Sequence, residues 1–159
     1  MAREHRYEIK LTWAGAAQGP IRNYQSYSRE YRFEAPGKPA LAASADPAFR
    51  GDAALYNPED LLVASLSGCH MLTYLATCAL QGIEVVAYED QASGTMIQEG
   101  NGGRFTEVAL RPRVTVAAGS DLDKASALHE KAHADCFVAN SVNFPVRNEP
   151  EIVEATAAA

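Results

Sequence analysis

Three cysteines carry the most reactive side chains of this chain: Cys69, Cys78 and Cys136. A thiol becomes a nucleophile only as thiolate, which needs a nearby cation, a metal or a helix N-terminus. Cys69 and Cys78 fall in one expected helix, about 180° apart at 100° per residue. Cys78 is read as a small core hydrophobe, the ordinary role of a lone buried cysteine. Cys69 lies about 11 residues into the helix, beyond the first turn where the dipole acts. A cation must therefore be brought to it. His70 is adjacent, but neighbours in a helix point to different sides. An arginine suits better, being always charged and a strong donor to anions. Arg50 stands in the loop just before the helix, with Arg22 and Arg29 as alternatives.

A second pattern competes. "HEKAH", residues 129–133, has the spacing of the zinc-hydrolase signature. His129 and His133 share a helix face at i and i+4, and Glu130 would be the base. Cys136 at i+7, or a C-terminal carboxylate such as Glu149 or Glu151, would complete the ligands. Three fixed positions match often by chance, and an exposed amphipathic helix rich in His, Glu and Lys accounts for the same residues.

The elements that must position these groups follow from periodicity. Residues 6–13 alternate polar and apolar and read as a strand, and residues 23–35 as an aromatic-rich second strand antiparallel to it. A short extended piece is expected at 40–44 and an irregular loop at 44–57. Asn57 is a good N-cap, Pro58 suits the first helical position, and Glu59 and Asp60 favour the positive end of the dipole. The helix should run to about Leu80 and stop at Gly82. Roughly 23 residues make it about 35 Å long. It holds no acidic or basic residue from Leu61 to Gln81 except His70. A helix apolar nearly all round must be covered on most sides, which points to a second copy of the chain. Residues 83–99 and 104–118 read as two strands joined by a "GNGG" turn. Residues 120–137 form an amphipathic helix capped by Ser120 or Asp121, and residues 143–155 a last strand. The order ββ, α, ββ, α, β is α+β rather than doubly wound.

Composition bounds the function. The 159 residues suit a single domain over residues 1–159. The formal charge of −6 opposes general nucleic-acid binding. No apolar run approaches a membrane span of about 20 residues, and the N-terminus lacks a signal-peptide core. Three widely spaced cysteines are not a secreted disulfide framework, so a cytoplasmic protein is expected, in which a disulfide would be transient.

"NPEDLLVASLSGC" (57–69) together with "AHADCFVANSV" (132–142) resembles the OsmC/Ohr family of thiol-dependent peroxidases. A Glu followed by a cysteine ten residues later, and a second cysteine 67 residues after that, carry the likeness. The element order extends it over nearly the whole chain. "YSREYRFEAPGKP" and "SADPAFRGD" look like an OsmC-like subgroup. The resemblance implies an intertwined homodimer, with antiparallel sheet wrapped around long central helices and active sites at the subunit interface. It implies that Cys69 attacks peroxide and Cys136 resolves it. Glu59 would orient an arginine, matched by Arg50, that holds the thiolate. An organic hydroperoxide would be the substrate and a dihydrolipoyl-type dithiol the reductant, with no metal or organic cofactor. The chain departs from many family members in having Phe137 after Cys136 where they have proline, and in carrying His133. Glu59 and Cys69 are roughly 15 Å apart along one helix, so Glu59 and Arg50 would act across the dimer. The alternatives are an OsmC-like redox sensor or a binder of small apolar ligands, and then the zinc hydrolase.

Overall fold

The longest element begins where the capping residues place it. In the computed structural model, which describes residues 3–156, helix α1 spans Pro58–Gln81. Asn57 Oδ1 accepts the Asp60 N–H at 2.7 Å, and Asp60 Oδ2 accepts the Asn57 N–H at 3.4 Å. This reciprocal box satisfies two donors that the helix start would leave bare. At the other end Gly82 takes φ 74°, which costs glycine nothing. The Ile83 N–H then reaches the Cys78 carbonyl at 3.0 Å and the Gly82 N–H that of Ala79 at 3.4 Å. This is a Schellman stop.

The chain divides into two compact units, Met1–Leu61 and Leu62–Ala159. The first contains strands β1 (Lys10–Trp13), β2 (Tyr31–Glu34) and β3 (Leu41–Ala43), antiparallel in that order. Both leading strands are shorter than their alternation suggests. In residues 23–30 the aromatics serve a different purpose. Arg29 lies over the Tyr27 and Tyr24 rings at 3.7 and 4.7 Å, and Trp13 Nε1 donates to the Ser28 carbonyl at 2.8 Å. Ring–cation stacking holds this loop in place of a β ladder.

The second unit contains the rest of α1, strands β4 (Val85–Asp90), β5 (Ser93–Glu99), β6 (Gly102–Leu110) and β7 (Pro112–Val116), helix α2 (Leu122–Asp135), and strands β8 (Val146–Asn148) and β9 (Glu151–Glu154). Two three-stranded sheets result, β4-β7-β9 and β5-β6-β8. The pairs β4/β7 and β5/β6 are antiparallel, while β8 joins β6 and β9 joins β7 in parallel. The expected strands over 83–99, 104–118 and 143–155 therefore each break in two and change sheet. Pro112 and Pro150 have no N–H to give a ladder. Asp90 holds the crossing, its Oδ1 accepting the Arg111 N–H at 2.7 Å and its Oδ2 the Ser67 hydroxyl at 2.5 Å. Asp121, one of two expected caps, starts α2 by accepting the Lys124 N–H at 2.9 Å.

Two apolar clusters form the core of this unit. Tyr74 and Cys78 of α1 pack with Val114, Val116, Leu128 and Ala132. Leu66 packs with Val108, Leu110 and Val146. Truncating Leu66 to alanine would cost about 2–5 kcal/mol. The opposite face of α1 is bare: Leu72 is 65% and Leu80 85% exposed. The helix is long and apolar enough, by length and composition, to cross a membrane, which corrects the expectation that no stretch approaches that. Its acids are confined to the first turn and it has no Lys or Arg. Ser, Thr and Gly interrupt the apolar runs without adding charge. Its buried face is nonetheless occupied inside the chain, with the Tyr74 hydroxyl donating to the Ala125 carbonyl at 3.0 Å.

Candidate functional site

The two cysteines singled out by spacing meet. Cys69 is half-buried on α1, and Cys136, capping the C-terminus of α2, is 1% exposed. Both are free thiols, near enough that each side chain acts on the other. Burial pushes the Cys136 thiol up to about 11, and Cys69 adds to this, while the backbone N–H groups of Ala139 and Val138 oppose it. Cys136 is therefore protonated at neutral pH. Its backbone is pinned, with its N–H on the His133 carbonyl at 3.2 Å and its own carbonyl accepting from Asn140 Nδ2 at 3.0 Å. Phe137, where the family pattern has proline, is 80% exposed. Cys78 is fully buried among Tyr74, Val114 and Val116, as a core residue should be.

In the first unit Glu59 and the arginines are placed as follows. Glu59 Oε2, in the first turn of α1, is buried and has no hydrogen-bond partner. Its charge reaches Tyr31, whose hydroxyl is pushed up by burial first and by Glu59 second. A buried carboxylate oxygen without a partner costs about 1–3 kcal/mol or more. Arg50 takes the left-handed φ of 68° at the end of a 3-10 turn, Pro47–Phe49, and donates from Nη2 to the Gln25 carbonyl at 3.4 Å. It forms no ion pair with Glu59 among the described residues. Arg29 is engaged by its two tyrosines and by the carbonyls of Tyr27 and Tyr24. Arg22 is exposed. Arg29 and Arg50 both line an open polar cavity of about 460 Å³, with Glu30, Ser44 and Asp52. Of the two arginines that line this cavity, Arg50 is the more weakly engaged.

The zinc pattern does not assemble. His129 is 1% exposed and points inward, its Nδ1 at 2.9 Å from Nε2 of His70 and its ring stacked on Tyr74 at 3.7 Å between centroids. Glu149 and Glu151, the carboxylates considered as further ligands, pair with Arg111 at 3.0 Å and Arg113 at 3.1 Å. No group of three or more His, Cys, Asp or Glu side chains among the described residues is placed to hold a metal ion. The i, i+4 spacing was real, but one member of the pair belongs to the core.

Sequence reasoning missed that pairing. His70 is buried, and its imidazole is pushed down to about 4, by burial first, then by His133, with Asp90 opposing. Burial, reinforced by His70, pushes His129 down to about 3. The one available signal was the stripe Leu66, His70, Tyr74, Thr77, at the i, i+4, i+8, i+11 positions of one helix face.

The chain matches the family model described as OsmC-like protein over residues 51–151. Its fold is similar to that of an OsmC-like protein of unknown function from Vibrio cholerae, at 32% identity and a TM-score of 0.79, over 92% of this chain and 99% of that one. It is also similar to an organic hydroperoxide resistance protein from Elizabethkingia anophelis, at 18% identity and a TM-score of 0.69, over 98% and 100% of the two chains. The organic hydroperoxide resistance protein OhrB of Bacillus subtilis shares 18% identity at a TM-score of 0.58, over 93% and 98%. The two last likenesses concern the fold. No curated protein matches the chain.

Proposed function

The chain belongs to the OsmC-like protein family, and from that premise we propose that it is a cysteine-based peroxidase for organic hydroperoxides. The observation that carries this reading is the contact between the half-buried Cys69 and the buried Cys136. Two reduced thiols in contact, one accessible and one shielded, suit an attacking and a resolving cysteine. Peroxide resistance named for two fold relatives supports the same chemistry.

In the proposed cycle the Cys69 thiolate attacks the outer peroxide oxygen and the alcohol leaves. The resulting sulfenic acid condenses with Cys136 to a disulfide and water. A small dithiol of dihydrolipoyl type reduces the disulfide by exchange. The surroundings of the thiols support this substrate class. Val138 and Ala139, beside Cys136, pack into the apolar cluster of Leu66, Phe105 and Phe144. Such a wall favours an alkyl or aryl peroxide over hydrogen peroxide.

The thiolate needs a cation, and Arg50 oriented by Glu59 is proposed to supply it from a second copy of the chain. Ser65, Cys69, Leu72, Ala76 and Leu80 lie along one stripe of α1, and all but Cys69, which is half-buried, are exposed. A copy packed on this stripe would cover the apolar residues and reach the thiol at once. It would also offer the orphaned Glu59 oxygen its guanidinium. The proposed setting is the cytoplasm, with neither nucleic acid nor membrane as partner.

The purified protein should consume cumene hydroperoxide in the presence of dihydrolipoamide. Cys69→Ser should abolish this, and Cys136→Ser should leave a sulfenic acid that a carbon nucleophile traps. Turnover persisting in Cys69→Ser would refute the reading.

A further inference from the structure

His133 takes no part in the cycle above, yet it sits where that cycle needs a group. It lies one helical turn before Cys136 on α2, a spacing of about 5–6 Å between Cβ atoms. Its Nδ1 is buried and has no hydrogen-bond partner. Its charge acts on His70, whose Nε2 meets Nδ1 of His129 at 2.9 Å. The second ring nitrogens of both these residues, His70 Nδ1 and His129 Nε2, are also buried without partners. Three imidazoles thus follow the seam between α1 and α2 that ends at Cys69 and Cys136. Unpaired buried polar atoms in such number call for an explanation, and a transient partner is one.

The resolving step supplies a transient partner. Cys136 must lose a proton to attack, and the hydroxide leaving Cys69 must gain one. The other titratable groups facing the seam are poorly suited to carry it. Burial pushes the Tyr74, Tyr88 and Cys78 groups up, so they hold their protons. Asp90 of β4 is engaged by Ser67 and the Arg111 N–H. On α2, Glu130 is exposed and Lys131 pairs with Asp135 at 3.0 Å in solvent. On β9, which packs against α2, Glu151 and Glu154 are exposed.

We propose that His133, backed by the buried His70–His129 pair, is the proton carrier for disulfide formation between Cys69 and Cys136. This rests on the peroxidase reading for its natural trigger, the Cys69 sulfenic acid. The Cys136 S–H proton passes to a ring nitrogen of His133. The thiolate sulfur attacks the Cys69 sulfur, the S–S bond forms and the S–O bond breaks. The departing hydroxide takes the proton from the imidazolium and leaves as water. The hydroperoxide has already supplied the two-electron oxidation, so no further oxidant enters. The buried pair stays neutral and adds no charge to the seam.

The experiment compares wild type with His133→Gln and His133→Asn, each checked for a native near-ultraviolet spectrum. After one equivalent of tert-butyl hydroperoxide, sulfenic acid is trapped with dimedone and disulfide formation is followed by quenched flow. Both variants should form the sulfenic acid at the wild-type rate. Their disulfide formation should slow by about 10²-fold at pH 7, the usual yield of general acid–base catalysis. The loss should shrink about tenfold per pH unit, vanish near pH 9, and be partly rescued at pH 7 by added imidazole. Equal disulfide rates and equal pH profiles would overturn the proposal, as would equal slowing of both steps. An aromatic disulfide provides a peroxide-free arm. It caps Cys69 with one arylthio group, and Cys136 then displaces the second aryl thiolate. If wild type gives no sulfenic acid, the peroxidase reading fails alone. The proton role then stands if the second thiolate release still depends on His133, and falls if it does not.

Discussion

Mild acid should destabilise this protein through two residues far from its surface. His70 and His129 are each 1% exposed and remain neutral in the folded state, with their imidazoles pushed down to about 4 and about 3. An unfolded imidazole titrates near 6.5. The folded state therefore binds fewer protons than the unfolded state in the window between these values, and stability rises with pH across it. The contribution is complete above pH 6.5 and is lost as pH falls toward the folded values. At pH 5 each residue, taken independently, would have lost about 2 kcal/mol. Residual screening by solvent and the nearby Asp90 charge reduce the sum of about 4 to about 2 kcal/mol for the pair. At roughly 2–4 °C per kcal/mol for a chain of this size, the melting midpoint should fall by about 4–8 °C between pH 7 and pH 5. Urea and thermal unfolding over this range test it, with His70→Leu/His129→Leu as the control. The double variant should lose most of the pH dependence over this range, even if it is less stable throughout. An equal slope in wild type and double variant would refute the reasoning, because the drop would then belong to other groups.

Three further perturbations probe the site. Glu59→Gln removes a charge whose Oε2 has no partner among the described residues; stability should hold or rise by up to about 1 kcal/mol, while Cys69 alkylation and peroxide consumption should fall about 10- to 100-fold, the worth of one charge-assisted hydrogen bond. Both are read by denaturant titration and by iodoacetamide kinetics. In Gly51→Ala the new Cβ would come within 1.5 Å of the Ala45 carbonyl oxygen, so the loop bearing Arg50 must shift; turnover should drop to the level of Arg50→Ala. Leu72, 65% exposed on the bare stripe of α1, should tolerate Glu in a monomer but not in a dimer; light scattering of Leu72→Glu should show half the wild-type mass, with peroxide consumption lost alongside.

Local chemistry made part of this molecule legible in its sequence. The limits of α1 came from Asn57, Pro58 and Gly82, and the start of α2 from Ser120 or Asp121, because caps and stops act within one turn. The core role of Cys78 came from the ordinary habit of a lone cysteine in an apolar helix, and the helical angle set it away from Cys69. The expectation that Cys69 and Cys136 share one site came from a family pattern, since the 66 intervening residues carry no local signal of contact. Strand division was not legible. Residues 83–99 and 104–118 each read as one strand, and whether such a run stays in one sheet depends on partners such as Asp90, Ser67 and the Arg111 N–H.

Histidine marks the boundary most clearly. The sequence by itself determined that His129 and His133 share a face of α2 and that His70 stands beside Cys69, because backbone geometry sets those angles. Only the tertiary structure decided that His129 turns to His70 rather than to a metal, and that His133 is left beside Cys136 with an unpartnered nitrogen. A side chain's period says which residues travel together. What they meet depends on how two helices pack, a property of neither helix alone.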